Sequence, residues 1–249
     1  DLLLGYCGQI SLGHNGLFAI GAYATAIMTA WFGWPPLIAM GAGVLITVLI
    51  AFLVGIPTLR LKGYYLAIAT LGFAFIVESL IRTEYFGGSS GIRKIPPFGV
   101  LGFVFDSDTS YYYLVWSIVA VAVLVCLRIC ETALGRSMKA VHTDEDAAGS
   151  MGINVAKTKL QAFVFSAALA AVAGSLYAHF VGFVSPVTAS IMFAIDIIMI
   201  LAFGGFTVLW GAMLGAAALT FLNEYLTVFA DYKRAIYGGA LILIMLFFP

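Results

Sequence analysis

The stretch LIAMGAGVLITVLIAFLVGIPTL (residues 37–59) decides the fold class, because no charged side chain interrupts it. An α-helix rises about 1.5 Å per residue and the hydrocarbon core of a bilayer is about 30 Å thick, so about 20 apolar residues are enough to cross it. The stretch is therefore predicted to be a transmembrane helix.

Comparable apolar runs recur on both sides of this stretch. Including it, we predict spans at 15–32, 37–59, 64–82, 111–130, 160–181 and 211–229. Two shorter runs, 191–203 and 235–248, reach only about 20 Å and are expected to be tilted, interfacial or halves of broken helices. Charged residues make up 10% of the chain, against about 25% in soluble domains. The sequence predicts an all-α, polytopic integral membrane protein with about seven to eight transmembrane or half-membrane helices, some of them broken.

The charged and chemically reactive residues exclude several classes of function. Twelve basic and twelve acidic residues cancel, so no surface for nucleic acid is expected. The three cysteines, Cys7, Cys126 and Cys130, lie in apolar runs, which indicates neither a disulfide framework nor a metal site. The sequence contains no pattern typical of a catalytic triad or of a G-x-x-x-x-G-K-S/T phosphate-binding loop. We therefore expect a protein that is not an enzyme and binds no cofactor itself.

The positions of lysine and arginine predict the topology. Arg60 and Lys62 end the second span, and further basic residues surround the polar segment 131–159, so both loops are expected in the cytoplasm. The loop 83–110 contains glycines and prolines and is expected outside, as an ordered, turn-rich loop. The whole chain (1–249) is predicted to form one transmembrane domain. Because it begins within an apolar run, we also expect an N-terminal truncation.

The polar segment 131–159 contains a predicted surface helix. Thr143 is a candidate N-cap with Asp146 at capping-box distance, and Gly152 supplies a stop about two turns later. An apolar stripe accompanies this helix and the residues before it: Leu134, Met138, Val141, Ala148 and Met151. Two interpretations stay open at this point, a helix lying on the lipid surface or a knob presented to a soluble partner.

Part of this segment resembles a known motif. Glu145, the two alanines that follow it and Gly152 are similar to the EAA loop of ABC-importer permeases, although Asp146 separates the glutamate from the alanines. The resemblance implies a short helix that docks into a groove of an ATPase subunit. Its candidate coupling residues are Thr143, Glu145, Ala147, Ala148 and Gly152. A rigid helix would pass on a displacement that a flexible loop would absorb.

The stretch GYCGQISLGHNGLFAIGAY (5–23) predicts a broken helix at membrane depth. Irregular backbone is tolerated there only where protein or a water-filled cavity satisfies its hydrogen bonds. In the pathway interpretation, glycines permit the break and polar side chains line a substrate path; the candidates are Gly8, Gln9, Ser11, Gly13 and His14. In the packing interpretation, small residues make close contacts between helices; the candidates are Gly13, Gly16, Gly21 and Ala22.

Two further places are candidates for a substrate path. Gly204 and Gly205 interrupt the chain between a short apolar run and a span, and paired interruptions in two halves of a transporter indicate a path. Glu78 lies within a predicted span, where a charged residue is costly and therefore a functional candidate. Its alternative role is an ion pair with Arg82, four residues later on the same helix face.

Several blocks of the chain, in the same order, resemble one family. They are GYCGQISLGHNGLFAIGAY (5–23), LRLKGYYLAIATLGF (59–73), GGSSGI (87–92), GRSMKAV (135–141) and AFVFSAALAAVAGSLYA (162–178). These blocks are similar to permease subunits of high-affinity branched-chain amino acid ABC importers, of the LivM type. The resemblance covers nearly the whole chain.

The resemblance implies a heteromeric importer in a bacterial or archaeal cytoplasmic (inner) membrane. A periplasmic or lipid-anchored binding protein captures the substrate, a second homologous permease subunit shares the pathway, and two cytoplasmic ATPases bind ATP and Mg²⁺. The implied substrates are leucine, isoleucine, valine or related hydrophobic amino acids. Urea, short amides or a sugar stay open as substrates, as does a self-contained channel or secondary transporter. The scarcity of carboxylates within the spans disfavours a proton relay.

Overall fold

The computed structural model describes residues 2–59, 61–100, 103–205, 209–225 and 239. Its α-helices are α1 (His14–Ala30), α2 (Pro36–Thr58), α3 (Tyr64–Ile81), α4 (Asp108–Glu131), α5 (Ala133–Thr143), α6 (Glu145–Ser150), α7 (Val155–Val181), α8 (Ile191–Gly204) and α9 (Leu209–Tyr225). A π-helix, Leu2–Tyr6, precedes α1, and short 3-10 helices cover Glu84–Phe86, Gly88–Ser90 and Pro186–Ala189. The strands are β1 (Ile92–Arg93), β2 (Gly99–Val100), β3 (Phe103–Val104) and β4 (Phe183–Val184).

Helices occupy the predicted spans wherever the structure describes them, which confirms the all-α membrane fold. Four of the described helices, α2, α3, α4 and α7, are long and apolar enough to cross a bilayer. The central helix α1 covers most of the predicted span 15–32, and α8 is the predicted short run, with 14 residues. The span predicted at 211–229 is described only as far as the end of α9. The run predicted at 235–248 lies outside the described residues, apart from residue 239.

Small residues pack α1 tightly against its neighbours α2 and α7. A Cβ atom built on Gly21 of α1 would lie 2.5 Å from the Cα atom of Ala171 on α7, and one built on Gly43 of α2 would lie 2.6 Å from the Thr25 hydroxyl of α1. Gly174 of α7 leaves the same kind of room for the backbone of α1. Because lipid provides no hydrophobic force between helices, such close van der Waals contact is a main source of their association.

Polar side chains add hydrogen bonds between the same helices. The hydroxyl oxygens of Thr25 on α1 and Ser175 on α7 are 2.8 Å apart. The Asn15 amide of α1 donates to the carbonyl oxygens of Ala189, at 2.7 Å, and Ser190, at 2.9 Å. Asn15 therefore fixes the start of α8 to the start of α1.

The described residues of the predicted loop, 83–100 and 103–107, are turn-rich, and α4 already begins at Asp108. Strands β2 and β3 form a small hairpin, and β1 pairs antiparallel with β4, which follows α7. His179, buried near the end of α7, places its Nδ1 atom 2.7 Å from the carbonyl oxygen of Pro96. The loop is therefore tied to the end of α7 by both backbone and side-chain contacts.

Candidate transport path and coupling helix

The helix predicted to be broken near the start of the chain is broken in the structure. The π-helix ends at Tyr6, and α1 begins only at His14. Gly8 has a φ angle of +66°, which residues other than glycine rarely adopt. The following amide, that of Gln9, donates back to the carbonyl oxygen of Leu3 at 3.1 Å. This is the backbone pattern by which a positive-φ glycine ends a helix.

A side chain of α3 bonds one backbone amide of the break, and a side chain of α7 bonds the polar ring that follows the break. The amide of Leu12 donates to the Thr70 hydroxyl of α3 at 3.0 Å. The His14 ring places Nδ1 3.0 Å from the Ser11 hydroxyl and Nε2 2.9 Å from the Ser166 hydroxyl of α7. The break is therefore enclosed by protein at Gln9 and Gly13, whereas Gly8 and Ile10 are exposed. Contacts with protein satisfy part of the irregular backbone, as such backbone at membrane depth requires.

The glycines that follow the break are packing contacts. A Cβ atom on Gly13 would lie 2.6 Å from the backbone carbonyl oxygen of Thr70, and one on Gly16 would lie 3.3 Å from the Cα atom of Ala74. Together with Gly21 against α7, these contacts confirm the packing interpretation of the small residues. These contacts do not test the pathway interpretation of the break, because tightly packed helices can also line a path.

Gln9 differs from every other polar candidate of the break. Its side chain is 2% exposed, and neither its Oε1 nor its Nε2 atom has a hydrogen-bond partner among the described residues. A buried amide without partners costs roughly 1 to 3 kcal/mol. A group retained at such a cost is a candidate for contact with water or a ligand.

The N-cap of the surface helix α6 is Asp144, so the prediction of Thr143 as N-cap is wrong. The Asp144 carboxylate accepts hydrogen bonds from the amides of Asp146, at 2.8 Å, and Ala147, at 2.9 Å. These backbone hydrogen bonds hold the pKa of Asp144 below its ordinary value. Thr143 is the last residue of α5, and its hydroxyl donates to the carbonyl oxygen of Lys139 at 3.0 Å. The two adjacent residues are both good caps by type, and the end of α5 decides between them.

Gly152 ends the surface helix as predicted. Its φ angle is +85°, and its amide donates to the carbonyl oxygen of Gly149 at 3.0 Å. The amide of Ile153 donates to the carbonyl oxygen of Ala148 at 3.1 Å. With six residues, α6 is slightly shorter than the predicted two turns. It is a single compact unit between α5 and α7.

The predicted apolar stripe divides into an inner and an outer part. Met138, Val141 and Ala148 are buried, in a cluster that also contains Cys7 of the chain before the break and Ala162 of α7. Met151, by contrast, is 82% exposed. The exposed residues of the surface helix and its end are Asp146, Ala147, Gly149, Ser150, Met151 and Gly152.

Glu145 points towards the protein. It forms an ion pair with Lys159 near the start of α7, and its side chain is 27% exposed, against 4% for that of Lys159. Lys62, between α2 and α3, lies 3.8 Å from Glu145 and 3.2 Å from Asp146. The hydrogen bond to Asp146 raises the pKa of Lys62. Sequence reasoning missed this charge network; its only signal was a lysine adjoining an apolar span.

The helix α5 contacts the broken N-terminal helix directly. A Cβ atom on Gly8 would lie 2.7 Å from Cδ2 of the His142 ring, and the Lys139 ammonium lies 5.3 Å from the centre of the Tyr6 ring. The break and the surface helix, more than a hundred residues apart in sequence, are therefore joined through α5. No motif in the sequence indicated this contact.

The remaining candidates lie away from the break or have local partners. Glu78 and Arg82 form an ion pair at 2.6 Å on one face of α3, which confirms the pairing interpretation. Gly204 ends α8 and packs against Gly211 of α9, and Gly205 follows with a φ angle of +88°. The described contacts of Gly204 thus belong to the packing of α8 on α9.

A bundle of apolar helices, with a packed break in its first helix and a charged helix at one end, defines a multi-pass membrane protein. The family described as Branched-chain amino acid transport system / permease component matches residues 1–247, and the chain belongs to this family. The resemblance inferred from the sequence blocks is thereby confirmed.

Individual permease proteins are similar to the chain along its whole length. The chain is 33% identical to the high-affinity branched-chain amino acid transport system permease protein LivM of Salmonella typhimurium and 32% identical to that of Escherichia coli; each alignment covers 100% of this chain and 64% of the relative. The chain thus spans less than two thirds of the length of these relatives. It is 24% identical to the permease protein LivH of Escherichia coli, over 100% of the chain and 86% of the relative. No solved structure gives a significant match.

Proposed function

We propose that the chain is a permease subunit of an ATP-driven ABC importer for leucine, isoleucine, valine or related hydrophobic amino acids. The observation that carries this proposal is the family match along 1–247, together with LivM relatives named for branched-chain amino acid transport. The subunit is a transport component rather than an enzyme. Its proposed location is the bacterial or archaeal cytoplasmic (inner) membrane; the several apolar helices support a location in a membrane.

The proposed substrate path passes the break before α1. The buried amide of Gln9, which has no hydrogen-bond partner among the described residues, is the main support, because such a group is available to bind water or a ligand in a path. Ser11 and His14 follow Gln9 within five residues and are hydrogen-bonded to each other, and the glycines provide the local backbone. The proposed path residues are Gly8, Gln9, Ser11, Gly13 and His14 at the break and, in addition to the ion pair of Glu78 and the packing contact of Gly204, also Glu78, Gly204 and Gly205.

The proposed partners are a second homologous permease subunit, two ATPases and a binding protein. LivM and LivH are both relatives of this chain, which supports a pair of related permeases. The exposed face of α6, with Met151 beside it, is proposed to contact an ATPase, which would hold ATP and Mg²⁺. The proposed coupling residues are Thr143, Glu145, Ala147, Ala148 and Gly152. The loop 83–110 is proposed to face the periplasmic or lipid-anchored binding protein.

Reconstitution tests the proposed function. The chain would be co-purified with a candidate second permease, ATPases and binding protein from the same organism. Uptake of labelled leucine, isoleucine and valine into proteoliposomes would then be followed with and without ATP. We expect uptake that needs every component. Competition by urea, a short amide or ribose would assign the substrate to another class. Uphill transport by the chain alone would instead show a self-contained transporter.

A further inference from the structure

The buried lysine at the start of α7 has a single short ionic contact among the described residues. The side chain of Lys159 is 4% exposed, and its ammonium pairs with the Glu145 carboxylate of the surface helix α6. A buried ammonium is costly unless it is paired, so this contact fixes the position of Glu145 as well as that of Lys159. The pair joins α6 directly to a helix that is long enough to cross the membrane.

A second lysine holds the same end of α6 from another direction. Lys62, in the connection between α2 and α3, lies 3.2 Å from Asp146 and 3.8 Å from Glu145. Beneath the helix, Ala148 is buried in the apolar cluster. One buried ion pair, one solvent-exposed ion pair and one apolar contact thus join this six-residue helix to α7, to the α2–α3 connection and to the apolar cluster.

Stability alone does not require an ion pair at this place. Replacing a buried pair by apolar side chains of similar volume is often neutral or stabilising. What an ion pair adds is orientation, because the ammonium of one helix must meet the carboxylate of the other. The helix α7 is in turn packed backbone to backbone on α1, through Ala171 and Gly174.

We infer that Lys159 and Glu145 are positioning residues: their ion pair fixes α6 to α7, so that a displacement of α6 moves α7 and, with it, α1. Glu145 thereby acts by holding α6 rather than by touching the ATPase. The inference rests on the proposed docking of α6 to an ATPase, and adds to it the route by which the displacement enters the membrane helices.

A double-mutant cycle in the reconstituted complex tests the inference. Lys159→Met and Glu145→Gln would be compared singly and together, and the measured quantity is substrate imported per ATP hydrolysed. We expect each single variant to lower this ratio about ten-fold, and the double variant to be no worse than the poorer single variant. Lys159→Arg keeps the charge and should import as much substrate per ATP as the unsubstituted chain. Lys157→Met removes an exposed charge from the same turn and should leave this ratio unchanged.

A cross-link separates this inference from the proposed docking. A cross-linker would be attached at Met151→Cys in a chain that also carries Cys130→Ser. We expect this chain to capture the ATPase both with native Lys159 and Glu145, which is the unmodified background, and with each of the variants. Absence of capture in the unmodified background would contradict the proposed docking itself. Normal capture with unchanged ratios in Lys159→Met and Glu145→Gln would overturn the positioning role, as would effects that multiply in the double variant. If Glu145→Gln fails to assemble because Lys159 is left unpaired, the positioning role is tested by the import per ATP of Lys159→Met and of the double variant.

Discussion

The break before α1 and the end of α6 use the same backbone conformation, but only the first has a close neighbour. Each interruption turns on a glycine with a positive φ angle, Gly8 at +66° and Gly152 at +85°. A Cβ atom on Gly8 would meet the His142 ring, whereas one on Gly152 would meet nothing within 4 Å. The comparison teaches that a glycine at an interruption has two separable roles, conformation at both sites and close packing at only one.

A large side chain in the packed region around the break should have the largest effect. Gly13→Leu would place its Cβ atom 2.6 Å from the Thr70 carbonyl oxygen, against backbone that cannot move aside easily. We expect destabilisation of about 3 kcal/mol and little assembled complex. Thermal unfolding of the purified complex measures this. The matched control is Gly72→Leu on α3, where the corresponding space is open; equal losses in both variants would contradict the role assigned to packing.

Removing the unpartnered amide should separate stability from transport. Gln9→Leu replaces a buried polar group by an apolar one of similar size, so the complex should gain about 1 kcal/mol of stability if no partner is lost. If the amide faces the substrate path, uptake should nevertheless fall about ten-fold. Unfolding temperature and labelled-leucine uptake would be measured on the same preparation. Full uptake together with higher stability would remove Gln9 from the path.

The exposed glycine should show the conformational role alone. Gly152→Ala meets no neighbouring atom, so its cost is the backbone strain of a positive φ angle, about 1 kcal/mol, confined to the end of α6. We expect uptake and ATPase coupling to fall several-fold while assembly is retained. Gly149→Ala, within α6, is the control and should have no such effect. A fully coupled Gly152→Ala variant would show that the end of α6 tolerates rearrangement.

The two adjacent cap candidates of α6 should differ in a smaller but measurable way. Asp144→Ala removes the acceptor of two backbone hydrogen bonds, whereas Thr143→Ala removes a hydroxyl that bonds within α5. We expect faster hydrogen exchange of the α6 amides in the first variant only. Asp144→Asn should restore slow exchange, because asparagine is an equally good N-cap. Faster exchange in Thr143→Ala would reinstate Thr143 as the cap.

The pH dependence of the Asp144 cap follows from its lowered pKa. A group whose pKa is lower in the folded state contributes stability above its ordinary pKa, 3.8 here, and this contribution is lost as the pH falls through the lower, folded value. The cap is therefore fully formed near neutral pH. Protection of the α6 amides should decline only in strongly acidic solution, and Asp144→Asn should be insensitive to that change.

The helices could be predicted because each depends on local sequence. A run such as 37–59 has no stable alternative to a span, and the glycines at Gly8 and Gly152 indicate interruptions by themselves. The choice between Thr143 and Asp144 could not be predicted, since it depends on where α5 ends. Two residue types with similar capping ability leave the sequence ambiguous.

The contacts between distant segments could not be predicted, because they depend on how the helices pack. Lys159 adjoins an apolar span and reads as a loop cation, yet packing against α6 buries it. His142 meets Gly8 only because α5 folds back onto the start of the chain. The resemblance identified the family, but neither the charge network nor the contact between α5 and the break follows from it.

The backbone contacts between α1 and α7 have a mechanical consequence. With Gly21 and Gly174 in the contact, neither helix can roll or slide past the other without collision. The two should therefore travel as one solid body in any alternation of access, and spin labels on them should keep one separation with and without nucleotide. Relative movement of helices would then occur where packing is looser, as along α4. In the most apolar stretch of α4, 11% is buried, against 39% in that of α7.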